Sequence, residues 1–201
     1  GSLIRPELTD VQSILQLLEA KDVSGQLFLS ETHKKVLQAL RQADYLSPKY
    51  HVVIANPPYM NMGGMNPRLK SFLGATYPDS KSDLMTCFME RAWGLVREQG
   101  YWAMINLPSW LFLQSFASLR ENLIQKQTIN SLLHLGRGVF GSDFGTVAFV
   151  IKQARPIEGM LGTYRRLFDE HVEVRSIDKI ESLFFDKSYG FYQRDQRLFK
   201  K

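Results

Sequence analysis

An α/β architecture with a mostly parallel sheet is predicted by three observations. Apolar runs such as His51–Ala55 and Tyr101–Leu107 are continuous rather than alternating, the mark of strands covered on both faces. Stretches with helical periodicity separate them, and strand–helix–strand succession favours parallel pairing. The last two strand patterns, 130–135 and 147–153, are joined without a helix, which predicts a hairpin at the edge of that sheet. The chain has 201 residues and is 44% hydrophobic, enough for one packed domain or a domain with an appendage.

Taken in order, residues 9–20 read as a helix capped by Thr9 or Asp10, with Val11, Ile14, Leu15, Leu17 and Leu18 as its apolar stripe. A second helix is predicted over 30–42, opening on Ser30 or Thr32. The strand ending at Ala55 follows. Residues 60–80 carry Gly63, Gly64, Gly74, Pro67 and Pro78 without clean periodicity, and so predict a long loop, mobile without a ligand. A helix over 82–98 opens on Ser82 or Asp83 and stops at Gln99-Gly100. The strand 101–107 is halted by Pro108, a helix is predicted over 110–125, and the turn-rich Gly136–Gly145 links the two closing strands. Beyond Arg155 the chain is charged and aromatic without a clear period.

Composition narrows the function classes. The formal net charge is +5, compatible with a polyanionic partner, although the basic residues are scattered. A single cysteine, Cys87, excludes an internal disulfide and fits a reducing compartment. It lies in an apolar helical stretch, as a small buried hydrophobe would. No Cys/His spacing resembles a metal site. No apolar run reaches membrane-spanning length and no signal-peptide pattern opens the chain, so a cytoplasmic protein is expected.

The chemistry-bearing motif is Asn56-Pro57-Pro58-Tyr59 at the end of the first strand. Each proline fixes φ and removes a donor, and holds the residue before it extended. Asn56 contributes a side-chain carbonyl, and Pro57 and Pro58 offer backbone carbonyls with no N–H beside them. Two acceptors converging on one point suit an exocyclic amino group, which carries two hydrogens. Tyr59 adds an aromatic face for a planar group. The plainer reading is a strand closed by a Pro-Pro turn, with Tyr59 as packing.

That tetrapeptide resembles the catalytic motif of amino-methyltransferases. The wider succession carries the likeness further: strand, Asn-Pro-Pro-Tyr, glycine-rich loop, Ser82-Asp83-Leu84 opening a helix, then the strand Tyr101–Pro108. It is similar to gamma-type DNA N6-adenine methyltransferases, especially the large phage-defence (BREX) adenine methyltransferases and type IIG restriction–modification relatives. The resemblance spans about residues 30–155. It implies the C-terminal part of a Rossmann-like class I methyltransferase sheet and transfer of a methyl group from S-adenosylmethionine to adenine in DNA. It implies catalysis by Asn56, Pro57, Pro58 and Tyr59, and a flipped base held between Tyr59 and Phe140. It further implies cofactor contacts from Asp44, Tyr45 and Asp83. Asp44 also reads as a loop cap, Asp83 as a helix N-cap and Phe140 as hairpin packing. Arg68, Lys70 and Lys81 are candidates to meet DNA phosphates, or plain solvated charges.

One departure stands out. The family's glycine-rich cofactor loop belongs upstream of the catalytic motif, yet only Gly1 and Gly25 precede Asn56. Gly25-Gln26-Leu27-Phe28 reads as a single-glycine turn, and no acid for the cofactor ribose is identifiable. The chain is therefore expected to be a fragment: a helical segment 1–29, a partial catalytic domain 30–155, and an appendage or new domain at 156–201, with Gly1-Ser2 as a possible cloning remnant. Its expected partners are DNA, the remainder of the methyltransferase with a target-recognition domain, and a second copy at the exposed strand edge. The tetrapeptide also fits an amino-methyltransferase acting on glutamine or RNA, and a fragment lacking its cofactor loop also fits a non-catalytic nucleic-acid-binding or assembly module.

Overall fold

A computed structural model describes residues 3–6, 10–23, 27–141, 143–170 and 173–199. Gly1-Ser2, the Thr9 cap and the turn at Gly25-Gln26 lie outside the described residues. Two compact units emerge, residues 1–49 and 50–201.

In the first unit α1 spans Val11–Glu19 and α2 spans Leu27–Leu46. Asp10 caps α1, its carboxylate accepting from the Ser13 amide at 3.2 Å. Val11, Leu15 and Leu40 form a small buried core between the two helices. Arg41 pairs with Glu19 at 2.7 Å. The second helix predicted over 30–42 thus runs further at both ends, and Asp44 and Tyr45 sit in its last turn rather than in a loop.

The second unit is built on a six-stranded sheet ordered β1-β2-β4-β3-β5-β6. The strands are β1 Tyr50–Ala55, β2 Val96–Asn106, β3 Thr128–Arg137, β4 Gly145–Lys152, β5 Leu161–Arg166 and β6 Phe191–Asp195. The α/β class holds, and the sheet is mixed. β1–β2 and β3–β5 pair in parallel, whereas β2–β4, β3–β4 and β5–β6 are antiparallel. The hairpin β3–β4, expected at an edge, lies inside the sheet because β5 and β6 extend it. Those two strands and helix α6, Ile177–Phe185, come from the stretch after Arg155 in which no period is legible. Gln196 fastens this stretch to the sheet: its amide carbonyl accepts from the Ile129 N–H at 2.6 Å and its amide nitrogen donates to the Gln127 carbonyl at 2.7 Å.

Helices α4, Leu84–Leu95, and α5, Ala117–Lys126, lie against one face of the sheet. Met85 and Met89 of α4 and Leu119 and Leu123 of α5 bury against Trp102, Phe149 and Ile151. Trp102 donates its indole N–H to Gln127 at 2.8 Å, so this wholly buried indole is also satisfied. Cys87 is buried as expected. Its thiol donates to the Ser80 carbonyl, and burial pushes its pKa up to about 12, which keeps it un-ionised and unreactive.

Three segment readings need correction. The helix predicted over 82–98 ends at Leu95, and Val96–Gly100 already belong to β2. The helix predicted over 110–125 begins only at Ala117, after 3₁₀ turns at Pro108–Leu111 and Gln114–Phe116. The long loop over 60–80 contains a helix, α3, Pro67–Thr76. Asn66 caps it by accepting from the Leu69 amide at 2.9 Å. Pro67 occupies the first helical position, where a missing N–H costs nothing. Leu73 and Tyr77 are wholly buried, so the segment is anchored. Pro67 and Pro78 bound the helix rather than break it.

Candidate active site

Strand directions decide what meets at the site. β1 is parallel to β2, and β4 is antiparallel to both β2 and β3. The C-terminal ends of β1, β2 and β3 therefore share one end of the sheet. The loop Asn56–Met60, the segment after Asn106 and the turn between β3 and β4 all emerge there.

Ala55 pairs with Met104, so Asn56 leaves the sheet one residue beyond its last pairing. Pro57 is buried, while Asn56 and Pro58 are exposed. This leaves the Asn56 amide accessible on a fixed backbone. The Tyr59 hydroxyl lies 3.3 Å from Asn56 Oδ1 and 3.1 Å from the Ile105 carbonyl, both acceptors for its single proton. Its ring is half-buried against the main core. Burial raises the phenol pKa above its ordinary value, so the hydroxyl remains a donor across the neutral range.

Asp83 secures the far end of this loop. Its Oδ1 accepts from the Met60 amide at 3.2 Å and from the Met85 amide at 3.0 Å. The Leu84 amide donates to the Met60 carbonyl at 2.9 Å, and Asn61 bridges Asp83 across an antiparallel contact. Asp83 is thus the N-cap of α4 and a tether for the tetrapeptide at once.

The β3–β4 turn brings a second aromatic ring to Tyr59. Phe144 meets Tyr59 edge-on, with ring centroids 6.0 Å apart. Sequence reasoning passes over this residue; its signal is a second aromatic before the last strand. Phe140 stands at the tip of the turn, 59% exposed, with φ of 59°. A left-handed backbone at a bulky non-glycine residue is strained, and its own burial does not offset that strain.

Beside Asn56, on the sheet face away from α4 and α5, lies an open depression of about 540 Å³. Ile54, Ala103, Ile105, Leu133, Ala148 and Val150 line it, with Asn56 and Ser131 as its polar side chains. β1 is the edge strand on this side, and Ile54 is 75% exposed. The lining fits a planar or methyl-sized apolar group next to Asn56. It holds no acid for a ribose and no charged side chain for an amino-acid tail. Arg68, Lys70 and Lys81 are all exposed, the first two on α3.

Residues 8–140 match the family model described as Eco57I restriction-modification methylase. The chain belongs to that family. It is 39% identical over 208 residues to the adenine-specific methyltransferase BrxX of Escherichia coli O9:H4 (strain HS), across 100% of this chain and 17% of that protein. It is 39% identical over 164 residues to the adenine-specific methyltransferase PglX of Lacticaseibacillus casei (strain Zhang), across 79% of this chain and 14% of that protein. The Eco57I-type chain thus spans less than a fifth of the length of either relative. A nuclease-deletion mutant of the Type ISP restriction-modification enzyme LlaGI, solved in complex with a DNA substrate mimic, superposes with a TM-score of 0.52 at 17% identity, over 90% of this chain and 17% of that one. This last likeness speaks for the fold alone.

Proposed function

We propose that this Eco57I-type chain carries the base-accepting half of a DNA N6-adenine methyltransferase active in restriction–modification or phage defence. The observation that carries the reading is the Asn56-Pro57-Pro58-Tyr59 loop, with its amide accessible at the strand exit and its aromatic ring tied by hydroxyl to Asn56 and Ile105. Adenine N6 lies inside a stacked duplex, so the base leaves the helix before reaction at a cost of a few kcal/mol. Tyr59 stacks on the extruded base, Phe140 closes the other side, and Phe144 sets the plane of the Tyr59 ring. The Asn56 side-chain carbonyl and the Pro57 carbonyl accept the two amino hydrogens. That pulls the nitrogen lone pair out of the ring's conjugation and leaves it able to attack.

S-adenosylmethionine supplies the electrophilic methyl group. The depression beside Asn56 suits that end of the cofactor, and its lining supplies nothing for the ribose or the amino-acid tail. The residues at this end of the sheet therefore account for the acceptor side of the reaction. Asp44, Tyr45 and Asp83 keep their proposed cofactor contacts on the resemblance, and Arg68, Lys70 and Lys81 their contacts with DNA phosphates. A target-recognition domain elsewhere in the protein would set the sequence methylated.

The test is product analysis with the full-length protein. Incubation with S-adenosylmethionine and duplex DNA, followed by nucleoside mass spectrometry, is expected to yield N6-methyladenine. Methylation of glutamine peptides or of RNA, with none of DNA, would replace the substrate assigned here.

A further inference from the structure

The turn that carries Phe140 and Phe144 is held within its own hairpin by Arg137, whose guanidinium reaches Asp143, and is also supported from outside it. Its first residues are clasped from beneath by Arg175, which lies between β5 and α6 and is only 5% exposed. One guanidinium nitrogen donates to the Leu135 carbonyl at 3.0 Å and the other to the Leu167 carbonyl. The Arg175 amide donates to the Arg137 carbonyl at 3.3 Å. The guanidinium also sits over the Phe168 ring, 5.3 Å from its centroid, and Phe168 packs on His134 at 4.7 Å.

The two glycines of the turn fit this clasp. A Cβ on Gly136 would come within 1.9 Å of the Arg175 guanidinium, and one on Gly138 within 2.0 Å of the Arg175 carbonyl. Both have positive φ, 73° and 108°, so glycine is required by backbone and by space alike. The chain thus turns tightly over Arg175 and delivers the strained Phe140 two residues later. A strained, exposed aromatic persists only where its surroundings over-determine the backbone; the Arg175 contacts fix the turn up to Gly138, and the Arg137–Asp143 pair and the Gly141 amide on the Gly138 carbonyl close it beyond.

We propose that Arg175 is a positioning residue for the target base, acting through Phe140 without touching DNA or cofactor. This rests on the function proposed above. Planar guanidinium geometry lets one side chain fix two carbonyls on two different segments. Losing it removes the donor to a buried carbonyl at Leu167 and a half-buried one at Leu135, and leaves the turn free to shift. A displacement of about 1 Å at a substrate-holding group can cost up to about a hundredfold in rate.

The experiment is a double-mutant cycle in the full-length protein, with kcat read on duplex DNA carrying adenine at the target position and base extrusion read as fluorescence on the same duplex with 2-aminopurine there. Arg175→Ala is expected to lower kcat about tenfold or more, and to lower the fluorescence gain that reports base extrusion. Phe140→Ala does the same. The double variant is expected to be no worse than Phe140→Ala alone, because Arg175 works through that turn. Multiplying losses, or an Arg175→Ala enzyme with native rate and native fluorescence, overturn the inference. If Arg175→Ala melts below the assay temperature, Arg175→Lys, which keeps the charge and stem but loses the fork, gives the same cycle. Asn56→Ala run in parallel separates the two claims: if it stays fully active, the proposed function fails; if it is inactive while the cycle is multiplicative, only the role of Arg175 fails.

Discussion

The Asn56–Tyr59 loop and the 136–145 turn emerge at the same end of the sheet and are held in opposite ways. The loop is stiffened first by its own chemistry, two adjacent prolines, and is then tethered by Asp83 and Ile105 to the neighbouring helix and strand. The turn is glycine-rich, with positive φ at Gly136, Gly138, Phe140 and Gly141, and takes its shape from side chains: Arg175 beneath it and the Arg137–Asp143 pair within it. A motif stiffened by its own prolines can be recognised from four letters. A turn whose shape depends on side-chain contacts cannot.

The sharpest way to break this contrast is to remove the amide at its centre. Asn56→Ala is expected to lower methyl transfer by about two to three orders of magnitude, the scale for losing one preorganised polar contact. Cofactor affinity and melting temperature should stay near native, since Asn56 is exposed and the prolines still shape the loop. Steady-state kinetics with cofactor titration checks this; a near-normal rate would remove Asn56 from the reaction.

Tyr59 sharpens the contrast, because it belongs to both sides. Its ring meets Phe144 and its hydroxyl meets Asn56 and Ile105. Base–aromatic stacking is worth about 1–3 kcal/mol, so Tyr59→Ala is expected to cost roughly one to two orders of magnitude in rate. Tyr59→Phe keeps the ring and drops a neutral hydrogen bond worth about 1 kcal/mol, so a loss of only a few-fold is expected. Equal losses in the two variants would mean that the hydroxyl tether matters and stacking does not.

What the sequence reveals follows the same line. The motif, the strand before it and the Asp83 cap are contiguous signals, and each lies where its local chemistry places it. Helix α3 is hidden because Pro67 and Gly74 read as breakers, although Asn66-Pro67 is a helix start and Leu73 and Tyr77 supply the burial. β5 and β6 are hidden because Thr163–Arg166 and Phe191–Asp195 carry charged and aromatic residues whose order reflects partners, not period. Arg175 looks like one more scattered cation. Its burial depends on Leu135, forty positions away, and no local pattern encodes such a pairing.

The three cations near the rigid loop test how far its surroundings engage the duplex. Arg68, Lys70 and Lys81 are exposed on and beside α3. Removing one cation that neutralises a phosphate should flatten the dependence of log affinity on log salt by about 0.9. Replacing all three with Gln is therefore expected to weaken DNA binding and reduce that slope by about 2–3. An unchanged slope would leave them as solvated charges.

Asp83 gives the smallest effect and discriminates most finely. Its carboxylate serves the first turn of α4 and the Met60 amide together. Losing an N-cap costs about 1 kcal/mol, which for a domain of this size is a fall of about 2–4 °C in melting temperature. Asp83→Asn retains an acceptor oxygen and should recover most of that loss, whereas Asp83→Ala should not. A tether predicts that both variants bind S-adenosylmethionine as the native protein does, with Asp83→Ala losing rate because the loop presenting Asn56 has slackened. A cofactor ligand predicts the reverse: weakened binding in both variants, since neither carries the charge. Calorimetric titration of the two variants, read against their melting curves, separates the roles because the substitutions preserve or remove hydrogen bonding independently of charge.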